Sequence, residues 1–547
     1  MQPLRFISYI FSRTIIFPLI ININSINPQA VNISDTCRLW HSIARSARYH
    51  PDGSDFMIVN GNKRFNRALY GTNTGFRTEA GDLPEFAFYM PGMGGNLKFG
   101  LVVADSGKWL IESEYIRACY RPGSMLYEIS DALLGNGILH VTVIPMSDAE
   151  GVILKLIPDN ISGNCRLVWA FGGATGKRFS RDGDIGADPE SVFYLNPEYC
   201  KDNEYVLQGN LFRLYYGSGR AQSEDELYGN NYQLTDREKE ALRLKNKKKL
   251  NGLVPVHSSL KICDAGSQNS PMGLLNSDKS ETPLVAGILN LRPDDILYFI
   301  IWNPETKDTL LYEDARALFN EAENARRTLA ERIRISTPDP YVNAIGGALS
   351  IAADAIWEEP SYLHGAVAWR MRLPGWRGAY AADWLGWHDR ARMHFDSYLK
   401  AQYTAPDSGP NVPDPKTNFA RQEEKAGNSI FTSGYISRYP GRISRPHHYD
   451  MNLVFFDQLL WHLRWTGDTA YARKIWPALQ RHLAWEKRCF DGNRDGLYDA
   501  YCCIWASDAL QYSGGGTTHS SAYNFRANLM AGEIAVIVGE KPEKWSR

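Results

Sequence analysis

The sequence predicts a multidomain β + α protein: an N-terminal antiparallel β-sandwich, a linking helix, and then a succession of paired helices. Three observations carry this reading. Short apolar/polar alternations with turn residues between them run from about Asn60 to Asn303. One amphipathic helical pattern follows at Thr309 to Arg334, and helical periodicity dominates after Val342. At 547 residues the chain exceeds one ordinary core, since a domain takes about 100–200 residues. The expected divisions are a signal segment over 1–30, the sandwich over 31–304, the linking helix over 305–337 and a helical catalytic domain over 338–547.

The N-terminus, MQPLRFISYIFSRTIIFPLIININ, sets Arg5 before an apolar stretch ending near Ile23. That is the pattern of a secretory signal and predicts a secreted or periplasmic location. The run is too short and too interrupted, by Arg13, for a stable membrane span. A formal net charge of −1 argues against nucleic acid as a partner. Eight cysteines without CxxC spacing give neither a disulfide scaffold nor a zinc site, and the adjacent Cys502 and Cys503 read as buried thiols.

The strand assignments rest on KWLIESEYI (Lys108 to Ile116), SMLYEIS (Ser124 to Ser130), ILHVTVIPM (Ile138 to Met146), GVILKLIP (Gly151 to Pro158) and DILYFIIWN (Asp295 to Asn303). Several half-buried strands in succession argue for stacked sheets. Two places interrupt them. MPGMGG, inside Glu85 to Gly100, is a tight loop that either reaches toward the next domain or closes a hairpin. Ser223 to Lys249 turns helical and charged, as a surface excursion would.

The linking helix carries Leu311, Ala315, Leu318, Ala322, Ala325 and Leu329 on one face, and TPDP at Thr337 to Pro340 ends it. Five further stripes are expected to be core faces. They are Val342/Ile345/Leu349/Ala352/Ile356, Trp384/Trp387/Ala391/Phe395/Tyr398, Leu453/Phe456/Leu460/Leu463, Tyr471/Ile475/Leu479/Leu483 and Ala522/Phe525/Leu529/Val536. Helix after helix with long aromatic-rich connections is the layout of an α/α toroid.

Those connections hold the candidate chemistry. In Asp491 to Tyr523, the carboxylates Asp495, Asp499 and Asp508 stand among Trp505, Tyr498, Tyr501, Tyr512 and Tyr523, with Trp485 just before them. Such rings pack on pyranose faces. Apolar surroundings disfavour a carboxylate's charge, so a carboxylic acid there stays protonated and can serve as general acid. IWAS before Asp508 and ALQY after it make Asp508 the candidate; the structural alternative is a residue that caps or solvates a loop.

In WRMRLPGWRGAYAADWLGWHDRAR (Trp369 to Arg392), Trp376, Arg377, Asp383, Trp384, His388 and Asp389 suit a sugar subsite. The alternative there is buried packing, above all for Trp387. The connection Gln402 to Pro446, with six prolines, leads to HHYDMN, where His448 and Asp450 are further substrate contacts. His447 and His448 are neighbours and diverge on a helix, so no metal is expected there. DGNRDG (Asp491 to Gly496) begins like a calcium loop, but Cys502 stands where the bidentate Glu belongs, and it reads as an Asp/Asn turn. No cofactor is expected.

A sandwich, a linking helix and paired helices, with GAYAADWLGWHD carrying Asp383 and DGLYDAYCCIWASD ending at Asp508, resemble the six-hairpin glycosidases. That group includes glucoamylases, α-L-rhamnosidases, α-L-fucosidases and the trehalose and cellobiose phosphorylases. The short matches are most similar to an uncharacterised subgroup of secreted bacterial polysaccharide-degrading proteins.

The resemblance implies an (α/α)6 toroid and a glycoside hydrolase acting on poly- or oligosaccharide with inversion. Asp508 would be the acid, with a second carboxylate about 6.5–9.5 Å away activating water. About half of twelve helices can be counted, so the toroid is expected to be incomplete, the protein truncated at its C-terminal end, the base missing and the fragment inactive. The other readings are a phosphorylase using Arg372, Arg377 and Arg390, a non-catalytic carbohydrate-binding envelope protein keeping Trp376, Trp384 and Trp505, and a lyase using Tyr449 with His448.

Overall fold

The computed structural model describes residues 36–38, 44–161, 164–178, 189–217, 244, 246–367, 370–407, 430–444, 446, 449–500, 502–503, 510–511 and 516–545. The chain divides into two compact units, 1–49 and 50–547. In the first, Thr36–Arg38 pairs antiparallel with Ala44–Ser46.

The second unit begins with two antiparallel sheets. Among the described residues one sheet has ten strands. Their order is Glu204–Gln208, Leu211–Tyr216, Lys248–Leu253, Leu297–Trp302, Gly151–Asp159, Ile138–Pro145, Ser124–Ser130, Tyr115–Arg121, Asp55–Val59 and His50–Asp52. The other runs Ser259–Asp264, Pro283–Asn290, Arg166–Ala174, Met93–Val103, Glu85–Tyr89, Arg77–Ala80 and Arg67–Leu69, and Ser106–Trp109 adds to its long Met93–Val103 strand.

Their inner faces meet ring to ring. Phe86 packs on Tyr127 at 5.8 Å, and Phe299 receives Phe99 at 5.0 Å and Trp169 at 6.0 Å. Edge-to-face pairs at such distances add to the burial of their apolar area. Alternation is visible in Ser124–Ser130, where Met125, Tyr127 and Ile129 are buried and Leu126, Glu128 and Ser130 are half-buried.

Two readings change here, those of KWLIESEYI and of Lys248 and Lys249, and the MPGMGG loop takes the hairpin form. KWLIESEYI is not one strand: it holds the end of Ser106–Trp109, a 3-10 turn at Leu110–Glu112 and the start of Tyr115–Arg121. The break forms because the Glu112 carboxylate accepts the Trp109 N–H at 2.8 Å. MPGMGG closes a hairpin, with the Met90 N–H bonded to the Gly92 carbonyl at 2.8 Å. Gly92 has φ +124°, and a Cβ there would lie 2.4 Å from the Gly176 carbonyl oxygen, so only glycine fits. Finally, Lys248 and Lys249 open a strand and do not close a charged helix; most of the stretch from Ser223 to Lys247 lies outside the described residues.

Eight α-helices are described: α1 (Pro271–Asn276), α2 (Ala315–Ala330), α3 (Pro340–Ala355), α4 (Gly378–Trp384), α5 (His388–Leu399), α6 (Met451–Thr466), α7 (Thr469–Phe490) and α8 (Thr518–Val538). The linking helix α2 lays Ala315, Leu318, Phe319 and Ala322 on Ile144, Ile153, Ile300 and Trp302, the outer face of the larger sheet. α3 starts where predicted: the Asp339 carboxylate accepts the Tyr341 N–H at 2.8 Å and Pro340 takes the first helical position. No described helix is long and apolar enough to cross a membrane.

Two expected core faces turn outward. In α3, Val342, Ile345 and Leu349 are exposed, Leu349 by 51%, while Ala344, Gly346, Ser350 and Ile351 are buried. Small residues let α3 approach its neighbours closely: a Cβ on Gly346 would meet the Ile333 carbonyl oxygen at 3.1 Å. In α8, Phe525, Leu529 and Val536 are exposed, Phe525 by 73%, and Asn524, Ala527, Met530, Ala531 and Ile534 face inward. A helix apolar on opposite faces gives periodicity no means of choosing the buried one. The stripes on α6 and α7 are buried as expected, and so is the second stripe apart from Trp384.

Candidate active site

Cross-helix contacts fix the directions of the helices. The Tyr380 hydroxyl of α4 donates to Asp457 of α6, and three residues later Asp383 meets His462. Arg526 of α8 pairs with Asp457, and seven residues later Glu533 pairs with Arg464. α4, α6 and α8 therefore run parallel, with their N-terminal ends together. Because α5 and α7 return between them, the connections 356–377, 400–450 and 491–517 all open at that end.

Packing joins these connections. Tyr403, Ile430, Phe431, Tyr435 and Tyr449 cluster with Trp485, Cys489, Phe490 and Tyr498. A Cβ at Gly375 would strike the Met451 carbonyl oxygen at 2.0 Å, and the Arg438 guanidinium reaches the Met371 sulfur at 3.5 Å. The DGNRDG segment is a tight Asx turn: the Gly496 N–H reaches an Asp491 carboxylate oxygen at 3.3 Å and the Leu497 N–H one of Asp495 at 2.8 Å.

Tyr380 in the first turn of α4, Asp457 near the middle of α6 and Arg526 near the middle of α8 form a polar cluster. Asp457, nearly buried, pairs through Oδ1 with Arg526 Nε at 2.8 Å while its Oδ2 accepts the Tyr380 hydroxyl. Burial first, and then the bond to Asp457, hold the Tyr380 phenol well above its ordinary pKa, so it stays a donor. Tyr523 is also raised, by burial first and the charge of Asp457 next. The Arg526 guanidinium lies over the Trp461 ring at 4.3 Å. Trp376, half-buried against His364 at 3.8 Å between ring centroids, and Arg377, exposed, stand at the start of α4.

Nearer the N-terminal ends of α6 and α8 are two further carboxyl groups. Glu486 of α7 is fully buried, which lifts its pKa to about 8, opposed by a hydrogen bond from Asn524 Nδ2 at 3.0 Å and reinforced by the nearby charge of Asp450. Asp450 is buried at the N-cap of α6. Glu486 is therefore a neutral carboxylic acid near pH 7, in contact with Asn524.

The residues grouped by sequence along Trp369 to Arg392 lie at two ends of α4. Trp376 and Arg377 are at the open end, whereas Asp383, Trp384, His388 and Asp389 are about 10 Å further along the axis. There Asp383 Oδ1 accepts from His388 Nδ1 at 2.7 Å and His462 Nδ1 at 2.9 Å. The three donor atoms lie within 4.8 Å of one another, close enough for a metal ion. The N–O distances are those of direct hydrogen bonds, however, and His462 Nε2 is buried with no partner among the described residues, where a ligating histidine has its second nitrogen held. The group is a clasp joining α4, α5 and α6.

Trp384, 71% exposed, packs beside Trp465 at 6.4 Å, and Asp389 is exposed in the first turn of α5. Trp485, expected on the pocket wall, is wholly buried and donates its indole N–H to the Ile430 carbonyl at 2.6 Å. Asp508, Trp505, Tyr512 and His448 lie outside the described residues. Sequence reasoning missed Tyr380, Asp457, Glu486 and Arg526. Asp457 was the findable one: an acid inside the apolar run MNLVFFDQLL must be paired.

A family model described as a domain of unknown function, DUF4450, matches residues 90–323, the greater part of the sandwich together with the first half of α2. No curated protein matches. Three solved structures overlay weakly. A bacterial glucoamylase complexed with acarbose gives a TM-score of 0.45 at 10% identity, over 89% of this chain and 67% of that one. A putative kojibiose phosphorylase from the human microbiome gives 0.43 at 8% identity, over 91% and 68%. A family GH92 inverting mannosidase from Bacteroides thetaiotaomicron gives 0.36 at 9% identity, over 90% and 60%.

Proposed function

We propose that the protein is a glycoside hydrolase acting on a poly- or oligosaccharide. The observation that carries this is the Tyr380–Asp457–Arg526 cluster shared by three parallel helices, whose N-terminal connections pack against one another with Trp376 and Arg377 at the start of α4. Fixed carboxylate, guanidinium and phenol groups satisfy sugar hydroxyls in directed pairs, and an adjacent indole covers a ring face. In this reading α4, α6 and α8 are inner helices of an α/α toroid, with α5 and α7 outside them. Residues 1–30 direct export to a secreted or periplasmic location.

The chemistry follows from the carboxylates. Asp508, on the third connection, protonates the glycosidic oxygen as the C–O bond breaks. Water attacks the anomeric carbon from the opposite face, losing its proton to a base outside the described residues, and the anomeric configuration inverts. Asp457 and Arg526, already paired, orient hydroxyls. The test is proton NMR of the anomeric signals during digestion. Inversion predicts that the first product anomer is opposite to that of the substrate. First release of the same anomer contradicts inversion; no release from any glycan contradicts hydrolysis.

A further inference from the structure

A cavity of about 540 Å³ opens between the sandwich and the first connection, with Asn73, Arg77, Tyr89, Arg178, Glu358 and Arg370 among its walls. Pro91, at the MPGMGG hairpin tip, and Met371 also line it, so the hairpin does reach the helical domain. The volume is within the range of about 300–1,000 Å³ usual for ligand sites.

Its walls are cationic. Arg77 is buried, bonded through Nε to Glu79, and its guanidinium stacks on Tyr89 at 3.8 Å. Glu358, the carboxylate facing the cavity, is divided between Arg370 at 2.8 Å and Arg372 at 2.8 Å. Arg370, its side chain only 11% exposed, also donates to the Ala355 carbonyl, yet its Nε is buried with no partner among the described residues. The Tyr70 hydroxyl, within electrostatic reach of Arg77 and Arg370, is buried and unpartnered in the same way. Arg178 is exposed and forms no ion pair among the described residues.

Three guanidinium groups, of Arg77, Arg178 and Arg370, line this cavity against the one carboxylate of Glu358, and that balance favours an anion with several acceptor oxygens. A neighbouring cavity of about 340 Å³ shares Pro91 and Arg178 and adds Lys248 and Lys249, with Glu150 and Glu305 also on its walls. Two adjoining cavities with cations in both match a glycan that bears a charge on more than one unit.

We infer that these cavities bind the anionic groups of an acidic saccharide, the carboxylate of a uronic acid or a sulfate ester, with Arg370 and Arg178 as the primary contacts. The inference rests on the carbohydrate reading above and names the class of glycan.

Calorimetric titration of the full-length protein tests it, with an oligouronate, a sulfated oligosaccharide and the neutral parent of each. At least one acidic form should bind about tenfold or more tightly than its neutral parent, and the tighter of the two identifies the anion. Arg178→Gln, at an exposed position, should cut that preference several-fold without altering the far-UV circular dichroism. Equal affinity for acidic and neutral forms, no binding of either acidic form, or a preference unchanged in Arg178→Gln would overturn the inference. Acid-selective binding without cleavage would sink the hydrolase reading and leave this site standing; cleavage of neutral glycans without acid preference would do the reverse.

Discussion

Asp457 on α6 and Arg526 on α8 are joined by an ion pair of 2.8 Å that ties two parallel helices together near their middles. Tyr380 on α4 completes the group by donating to the other carboxylate oxygen. Three helices thus share one carboxylate, which makes the floor of the candidate site a structural joint as well as a binding surface.

Replacing that carboxylate should cost both stability and binding. Asp457→Asn keeps an acceptor for Tyr380 but leaves Arg526 without its counter-charge. Because Arg526 is partly exposed, the expected loss is about 1–3 kcal/mol. Differential scanning fluorimetry should show a Tm several degrees lower, and glycan affinity should fall with it. An unchanged Tm would mean that the pair is screened.

Glu486 sets a pH dependence of stability. Its folded pKa of about 8, raised chiefly by burial, lies above the ordinary value of 4.5. Between those values the unfolded protein has lost the proton and the folded one keeps it. Stability from this group is therefore full below about pH 4.5 and is lost as pH rises to about 8, at roughly 1.4 kcal/mol per unit. Glu486→Gln, still an acceptor for Asn524, should flatten that part of the stability profile measured by urea unfolding from pH 5 to 8. A wild-type curve without the decline would place Glu486 in a more polar environment.

The two ends of α4 should separate by mutation. Trp376→Ala and Arg377→Ala, at the open end, are expected to weaken glycan binding about tenfold or more with little change in Tm. His462→Ala, at the clasp, removes a buried ring and one partner of Asp383, and should cost about 2–4 kcal/mol without altering the affinity of the remaining folded protein. Fluorescence titration and thermal melts on the same samples decide this. Equal binding losses at both ends would restore the single subsite along Trp369 to Arg392.

The outward apolar faces carry a contrasting expectation. Leu349→Ser and Phe525→Ser should change stability by no more than about 0.5 kcal/mol, since both side chains already meet solvent. Phe455→Ala, at a wholly buried ring, should cost about 3–5 kcal/mol. A large loss from Phe525→Ser would show that its helix face is covered in solution.

Part of the β half was legible because strands such as Ser124–Ser130 have one face buried and one only half-buried, and Met125, Tyr127 and Ile129 announce it at period two, whereas Glu85–Tyr89 and Leu297–Trp302 are buried on both faces. The linking helix was legible for the same reason at a period of 3.6. α3 and α8 were misread because opposite faces are both apolar, so the choice between Leu349 and Ile351, or Phe525 and Met530, depends on which neighbours arrive. The candidate site was half legible. Adjacency along Trp369 to Arg392 suggested one subsite, but a helix carries Arg377 and His388 apart as surely as it brings Tyr380 level with Asp457 of a different helix. The apolar run around Asp457 marks it as a paired acid, but its partner Arg526 is distant in sequence, and Glu486 was hidden because its partner Asn524 is distant too.

Hydrolysis through Asp508 is tested most directly by incubating the purified protein and its Asp508→Asn variant with a panel of neutral and acidic plant and host glycans and measuring reducing-sugar release. The expected result is release by the parent protein from at least one glycan, and a fall of about 10²–10⁴ in rate for Asp508→Asn with binding retained. Equal rates for the two proteins, or tight binding by the parent protein with no release from any glycan, would contradict it.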